Sequence, residues 1–262
     1  MTDISLPAAF AGAELHAGRN AEQSTGEFRV GRVLERAAAV LSRNFVPFLI
    51  VSAIAAAPSQ LGSLFPTGAA GPHPIAQYAT VIGALIGWFL SILAQAIVVY
   101  GAVSDLRGHR VDLAESFKMS LRRFVPLFLA TAVVGALAGL GMVALVVPGV
   151  ILFIMFYVVP PVCLIEQRGV WASIGRSAEL TKGHRWKIFG MVLLLLLVGG
   201  ILSGVAIATV SSLKNPALMF VGMTLVNGAA AAFGAVLTAV AYHDLRVAKE
   251  GIDVEQVAAV FA

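Results

Sequence analysis

The chain has 262 residues, of which 59% are hydrophobic and only 12% charged, with a formal net charge of +4. A soluble domain carries roughly a quarter of its residues charged, and a mean hydropathy of +0.90 excludes an ordinary water-soluble core. The single cysteine, Cys163, excludes an internal disulfide and a thiolate metal site. Its place in an apolar run reads as a small buried hydrophobe.

In chain order, residues 1–24 lack both a basic start and an unbroken apolar run, so they read as a flexible polar tail rather than a signal peptide. Residues 25–246 read as one membrane domain. Its first element is STGEFRVGRVLERAAAVLSRN, where Ser24 and Glu27 have the spacing of a capping box. Val30, Val33, Leu34, Ala37, Val40 and Leu41 recur on one helical face, leaving Arg29, Arg32, Arg36 and Arg43 for a headgroup layer.

Runs of about twenty apolar residues, the length that crosses a bilayer as a helix, then occur six times. They cover about Phe45–Leu64, Ile75–Val103, Phe124–Val147, Val150–Ile165, Ile188–Val210 and Ala217–Tyr242. The second is long enough to tilt or to project beyond the hydrocarbon. The fourth is short and carries Pro160-Pro161, which predicts a kink or an early exit. Pro148-Gly149 is a turn signal between spans three and four and predicts a tight hairpin there. Two further amphipathic helices are expected. Before span three, Asp112 is placed to cap while Leu113, Phe117, Leu121 and Phe124 recur at helical spacing. Before span five, Trp171, Ile174, Ala178 and Thr181 share a face, Arg176 and Glu179 are spaced to pair, and Gly183 is placed to end the helix. Residues 247–262 read as a C-terminal tail.

Of the eighteen Lys and Arg residues, only Lys214 falls on the side opposite the others, and all fourteen acidic residues fall with the majority. The positive-inside rule then puts both termini in the cytoplasm. The expected fold class is all-α: a polytopic membrane protein with six transmembrane helices. They are read as three two-helix hairpins, with amphipathic interfacial helices on the cytoplasmic side. An internal repeat supports this. RNFVP at Arg43 and RRFVP at Arg122 both open a span, HRWKIF at His184 is a weaker third copy, and DLR follows spans two and six, at Asp105 and Asp244.

No Asp, Glu, Lys or Arg lies inside a span, which argues against a proton pump or a carboxylate-coupled transporter. Ser52, Gln60, Gln77, Ser91, Gln95, Thr131, Asn227 and Thr238 are expected to hydrogen-bond between helices, and Gln95 and Asn227 are the candidate intramembrane polar contacts. The small-xxx-small pairs Gly83/Gly87, Gly135/Gly139 and Gly200/Gly204 are expected to pack helices closely. The densest polar stretch is RSAELTKGHRWKIFG, residues 176–190. Arg176, Glu179, Lys182, Arg185, Trp186 and Lys187, with Arg122 and Arg123, are the candidate headgroup or partner contacts. His184 and Glu179 have no nucleophile or metal partner at a recognisable spacing. No catalytic, cofactor or metal residue is therefore assigned. The basic residues are spread over separate loops beside spans, which points to membrane lipids rather than nucleic acid.

Residues Val146–Gly190 carry a family resemblance through Pro148-Gly149, Pro160-Pro161 to Glu166, Arg176-Ser177, Leu180-Thr181, Gly183 and Trp186. The stretch resembles the bacterial glycerophosphoryl diester phosphodiesterase membrane-domain family and related six-span inner-membrane proteins. The resemblance implies a bacterial inner membrane and, in some members, a following soluble phosphodiesterase domain. The metal-binding carboxylates and catalytic histidines of that domain have no counterpart in these residues, so no catalytic role is carried over. The expected function is a non-enzymatic membrane module, an accessory or scaffolding subunit with a protein partner at its cytoplasmic face. The alternatives are binding or transport of an anionic lipid or glycerophosphate-type ligand, or service as membrane partner of a separate phosphodiesterase.

Overall fold

In the computed structural model, residues 28–65, 67–68, 71–72, 74–212 and 215–250 are described. The expected N-terminal tail, the Ser24–Glu27 capping box, Lys214 and residues 251–262 lie outside them. The described residues are helical apart from short connections and a two-residue ladder pairing Thr67 with Pro72 and Gly68 with Gly71.

Helix α1 (Val30–Arg43) ends at Asn44, and α2 (Phe45–Ala56) follows at once and tightens into a 3-10 helix over Ala57–Leu64. Then come α3 (Pro74–Leu106), α4 (Leu113–Arg122) and α5 (Phe124–Ala144). Asp112 caps α4, its carboxylate accepting from the N–H groups of Ala114 at 2.8 Å and Glu115 at 3.2 Å. The two Phe-Val-Pro stretches share one junction geometry. Asn44 (φ −119°, ψ 27°) and Arg123 (φ −104°, ψ 9°) each end one helix and start the next. The proline then sits in the first turn, where its missing N–H had no intrahelical acceptor to lose.

The chain continues through α6 (Val146–Met155), α7 (Val159–Ile165), α8 (Val170–Thr181), α9 (Arg185–Ser212) and α10 (Pro216–Glu250). Six segments are long and apolar enough to cross a membrane: Phe45–Leu64, Ile75–Leu106, Phe124–Ala144, Val146–Ile165, Arg185–Val210 and Pro216–Glu250.

Three boundaries differ from expectation. The chain turns at Leu145 (φ −161°, ψ 134°), and Pro148-Gly149 lies inside the first turn of α6. Proline is tolerated there, and Gly149 comes so close to Met142 that an added Cβ would stand 2.5 Å from its nitrogen. The fourth span thus begins at Val146 and breaks at Phe156–Val158, a turn before Pro160 and Pro161, which open α7. The proline rings clash with the carbonyls four residues earlier, at Phe156 and Tyr157, so the helix breaks there. Finally, α10 runs on to Glu250, so the first residues assigned to the C-terminal tail are helical.

Burial is uneven along the long helices. In α3 the fully buried residues include Val98, Val99, Ala102 and Val103; in α10 they include Val236, Leu237, Ala239, Val240 and Leu245. The cover comes from α1, through Phe28, Val33, Ala37 and Val40, and from Val162, Cys163 and Leu164 of α7. The apolar face of α1 therefore packs on α10 and α3 rather than facing lipid. On α4 it is Ser116 and Ser120 that are buried, while Phe117 and Leu121 point outward. On α8 Ser173, Ile174, Ser177, Leu180 and Thr181 are buried, and Trp171, expected on their face, is 73% exposed. Small hydroxyl residues let helices approach closely, so they win the inner face over bulky indole.

The small-residue pairs divide. Gly83 and Gly87 of α3 meet Pro58 and Ser59 of the 3-10 helix, whereas Gly135, Gly139, Gly200 and Gly204 have nothing within 4 Å of an added Cβ. Those last two pairs are not internal packing faces. The close approach that the spacing did not reveal is Gly228 against Ala53, where an added Cβ would lie 2.8 Å from its Cα. Overpacking such contacts costs about 1–3 kcal/mol. Gly228→Leu and Gly83→Leu are expected to lower the melting temperature in detergent clearly, and Gly139→Leu and Gly204→Leu to leave it nearly unchanged. Differential scanning fluorimetry of the four variants checks this.

Candidate functional site

Two polar regions stand out in this apolar frame. The first lies where spans two, four and six end, and each exit carries an acid that meets an arginine. Asp105, at the end of α3, accepts from Arg43 Nη2 at 2.5 Å and Asn44 Nδ2 at 3.0 Å. The hydrogen bond to Asp105 raises the Arg43 pKa above its ordinary value. Asp244, buried near the end of α10, pairs with Arg36 Nη1 at 2.9 Å. Arg36 and Arg43, expected at the headgroups, are thus ion-paired within the chain.

Glu166, just past α7, is bound by Arg168 Nε at 2.8 Å and Arg176 Nε at 3.4 Å, and accepts a hydrogen bond from the Tyr242 hydroxyl at 3.1 Å. Arg176 also meets Glu179 at 3.2 Å and Glu250, the last described residue of α10. Its side chain is only 14% exposed. Arg176 is therefore the hub tying α8 to the ends of α7 and α10. It is not available to a headgroup.

The other motif residues of α8 have an equally local task. The break after α6 turns the Val159 N–H to Phe156 O, so the carbonyl of Met155 loses its regular helical partner. Ser177 Oγ donates to that carbonyl at 3.0 Å and Thr181 Oγ1 lies 3.2 Å from it. A carbonyl freed in an apolar setting must find such a donor. Gly183 then ends α8 with φ +89°, the left-handed conformation glycine adopts without penalty.

The remaining candidates scatter. Arg123 bonds Gln167 Oε1 at 2.8 Å and Lys187 Nζ donates to Phe28 O at 3.0 Å, so neither is a free cation. Lys182 and Arg122 are exposed, and Trp186 is 85% exposed with its ring edge-on to Phe189. Arg185 differs from these: its Nε is buried with no hydrogen-bond partner, at one end of an apolar groove of about 480 Å³. Val146, Val147, Val150, Ile151 and Ile154 of α6 and Phe189 of α9 form the walls.

The second polar region lies among the spans. Gln95 of α3 and Asn227 of α10 line one cavity of about 540 Å³, together with Ser52, Ser59, Ser91, Tyr157 and Thr238. Trp88, stacked edge-on against Phe128, stands in its wall. Asn227 Nδ2 donates to Met223 O at 2.8 Å and Thr238 Oγ1 to Gly234 O at 2.8 Å, so both answer their own helix rather than a neighbour. Tyr157 Oη is buried and makes no regular hydrogen bond, with the Thr238 hydroxyl, itself donating to Gly234 O, standing beside it. Sequence reasoning did not single out Tyr157 or Trp88, since an aromatic inside a long apolar run carries no signal of its own.

Residues 120–245 match a family described as a domain of unknown function (DUF7847). The chain is 28% identical over 109 residues to the UPF0259 membrane protein plu2479 of Photorhabdus laumondii subsp. laumondii, covering 40% of this chain and 43% of that protein. The chain thus spans less than half the length of that relative. No solved structure matches it. With six membrane-length apolar helices and this similarity, the chain is a multi-pass integral membrane protein.

Removing one partner of a buried ion pair costs about 3–5 kcal/mol, whereas an exposed charge away from such features moves stability by about 0.5 kcal/mol. Arg176→Ala is accordingly expected to lower the melting temperature by several degrees or prevent folding, and Lys182→Ala to leave it unchanged. Thermal unfolding of both in one detergent checks the contrast.

Proposed function

We propose that the chain is a non-enzymatic inner-membrane module that holds an anionic phospholipid at its cytoplasmic face, with Arg185 as the headgroup contact. The observation that carries this reading is the buried, partnerless Nε of Arg185 at the end of the α6–α9 groove. A guanidinium offers a fixed fork of donors suited to phosphate oxygens. The apolar wall beside it, from Val147 to Ile154, suits an acyl chain. Exposed Trp186 at the same helix start fits the aromatic level of a membrane interface. The excess of Lys and Arg on one side supports a cytoplasmic location for both termini and for this face. The glycerophosphoryl diester phosphodiesterase membrane-domain resemblance agrees with a glycerol phosphate headgroup. The three-hairpin, internally repeated arrangement is supported by the shared Phe-Val-Pro junctions and by the packing of α2 on α3, α5 on α6 and α9 on α10.

The scaffolding reading loses ground because Arg36, Arg43, Arg123 and Arg176 are already engaged within the chain. It keeps exposed cations such as Lys182, Arg122, Lys118 and Arg110 as candidate contacts.

A charged hydrogen bond is worth about 1.5–3 kcal/mol, so Arg185→Gln is expected to reduce retained phosphatidylglycerol roughly tenfold or more relative to phosphatidylcholine. Native mass spectrometry from mixed-lipid nanodiscs reads this, and equal retention in both proteins sinks the proposal. Orientation has its own test. Cys163 is buried, so a membrane-impermeant maleimide has little background, and His109→Cys is expected to label in inverted vesicles but not in intact cells.

A further inference from the structure

The polar cavity lies apart from the Arg185 groove and has a chemistry of its own. Its lining contains no charged side chain. A charged ligand at membrane depth would leave water without a counter-ion, at a cost of several kcal/mol, so an ion is a poor occupant. The polar lining is also biased. Ser91 donates its hydroxyl hydrogen to Trp88 O at 2.7 Å, and Thr238 and Asn227 donate likewise to their own helices. Each keeps oxygen lone pairs for the cavity. Gln95 lines the cavity and adds an amide carbonyl and N–H groups, while Tyr157, also in the lining, has a buried hydroxyl that makes no regular hydrogen bond. Acceptors therefore outnumber donors. The matching ligand is rich in hydroxyl groups, each able to donate and to accept. An acceptor-only group such as a quinone carbonyl matches it badly.

The volume, about 540 Å³, falls in the range of small-molecule sites. Trp88 supplies an aromatic wall of the kind that packs against the apolar face of a sugar ring. Leu195 lines this cavity and also a second, apolar one of about 540 Å³ between α9 and α10, walled by Leu194, Val198, Leu202 and Phe233. Leu195 is the one lining side chain the two cavities share, so the tail of a head lodged beside Gln95 would have to pass it. Leaving the Gln95 amide unpaired is costly, and a ligand that pairs it removes that cost.

We infer that this cavity binds the uncharged, polyhydroxylated head of an amphiphile whose apolar chain lies between α9 and α10. The probe is monoglucosyl diacylglycerol, doped into phosphatidylcholine nanodiscs, with plain diacylglycerol as the headless comparison. Native mass spectrometry counts the lipid retained by wild type and by Gln95→Leu, Asn227→Leu and Tyr157→Phe. Wild type is expected to retain the glucosyl lipid over diacylglycerol. Each variant is expected to reduce that preference roughly 3- to 10-fold, the effect of about one lost hydrogen bond. Tyr157→Phe removes only an oxygen, so it keeps the test valid if the larger changes disturb folding. Retention of diacylglycerol equal to the glucosyl lipid, or an unchanged preference in Tyr157→Phe, overturns the inference. Arg185→Gln separates the two sites: it is expected to leave glucosyl-lipid retention intact, and a loss there would place that lipid in the α6–α9 groove and refute the cavity assignment.

Discussion

Two helices are half as long again as a bilayer requires, and most of the architecture answers that fact. Helices α3 and α10 run for 33 and 35 residues, against about twenty needed to cross the hydrocarbon. At roughly 1.5 Å per residue, the excess leaves ends that lipid alone does not cover. The ends carrying Asp105 and Asp244 are the ones the chain buries, with α1 laid across them and α7 inserted beside them. At the other end of the spans, apolar side chains such as Val143, Val146 and Leu218 are left outward, as a lipid solvent permits.

That choice decides where the cations go. A carboxylate at a projecting helix end needs a partner, and α1 supplies two arginines from one helix: Arg36 for Asp244 and Arg43 for Asp105. Glu166 takes Arg176 from α8 in the same way. The basic stretches consequently hold that end of the helix bundle together before they offer charge to anything outside. The break in the fourth span has a similar local remedy, since Ser177 and Thr181 satisfy the carbonyl of Met155. Most of the stretch from residue 176 to 183 is explained by keeping α8 in place. Next to that stretch, Arg185 has a buried Nε without such a task.

The spans themselves were plain in the sequence, because a lipid-facing helix needs only sustained apolarity, and that is a local property. Junctions were legible where a residue acts on its own backbone: Asp112 caps α4 and Gly183 ends α8 as their types require. Pairings were not legible. Arg36 and Asp244 lie 208 positions apart, and nothing in either neighbourhood names the other. The repeated Asp-Leu-Arg exits held the clue, but in the aspartates rather than the arginines. Glycine spacing misled for a related reason. A small-xxx-small pair reports that a close approach is permitted, whereas the partner helix decides whether it happens, as at Gly83 and not at Gly139. Amphipathic helices were read as interfacial, and that pattern does not say which residues pack on the bundle. On α4 and α8 bulky apolar groups face outward and hydroxyls face in.

The cavity shows why an uncharged span is not a featureless one. Serine, threonine and asparagine side chains sit cheaply at membrane depth because each can return a hydrogen to a carbonyl of its own helix. Their presence alone argues for nothing beyond helix structure. Gln95 and Tyr157 break that pattern. Glutamine's longer side chain carries its amide away from its own backbone, and a tyrosine hydroxyl, out at the ring's far edge, has no local carbonyl to reach. Both need a partner from elsewhere, and they converge on the same space between α3, α10 and the break after α6. In a low-dielectric interior such groups are expensive unpaired and strong when paired. Their convergence therefore separates a binding chamber from a gap in packing, and it does so without a single formal charge.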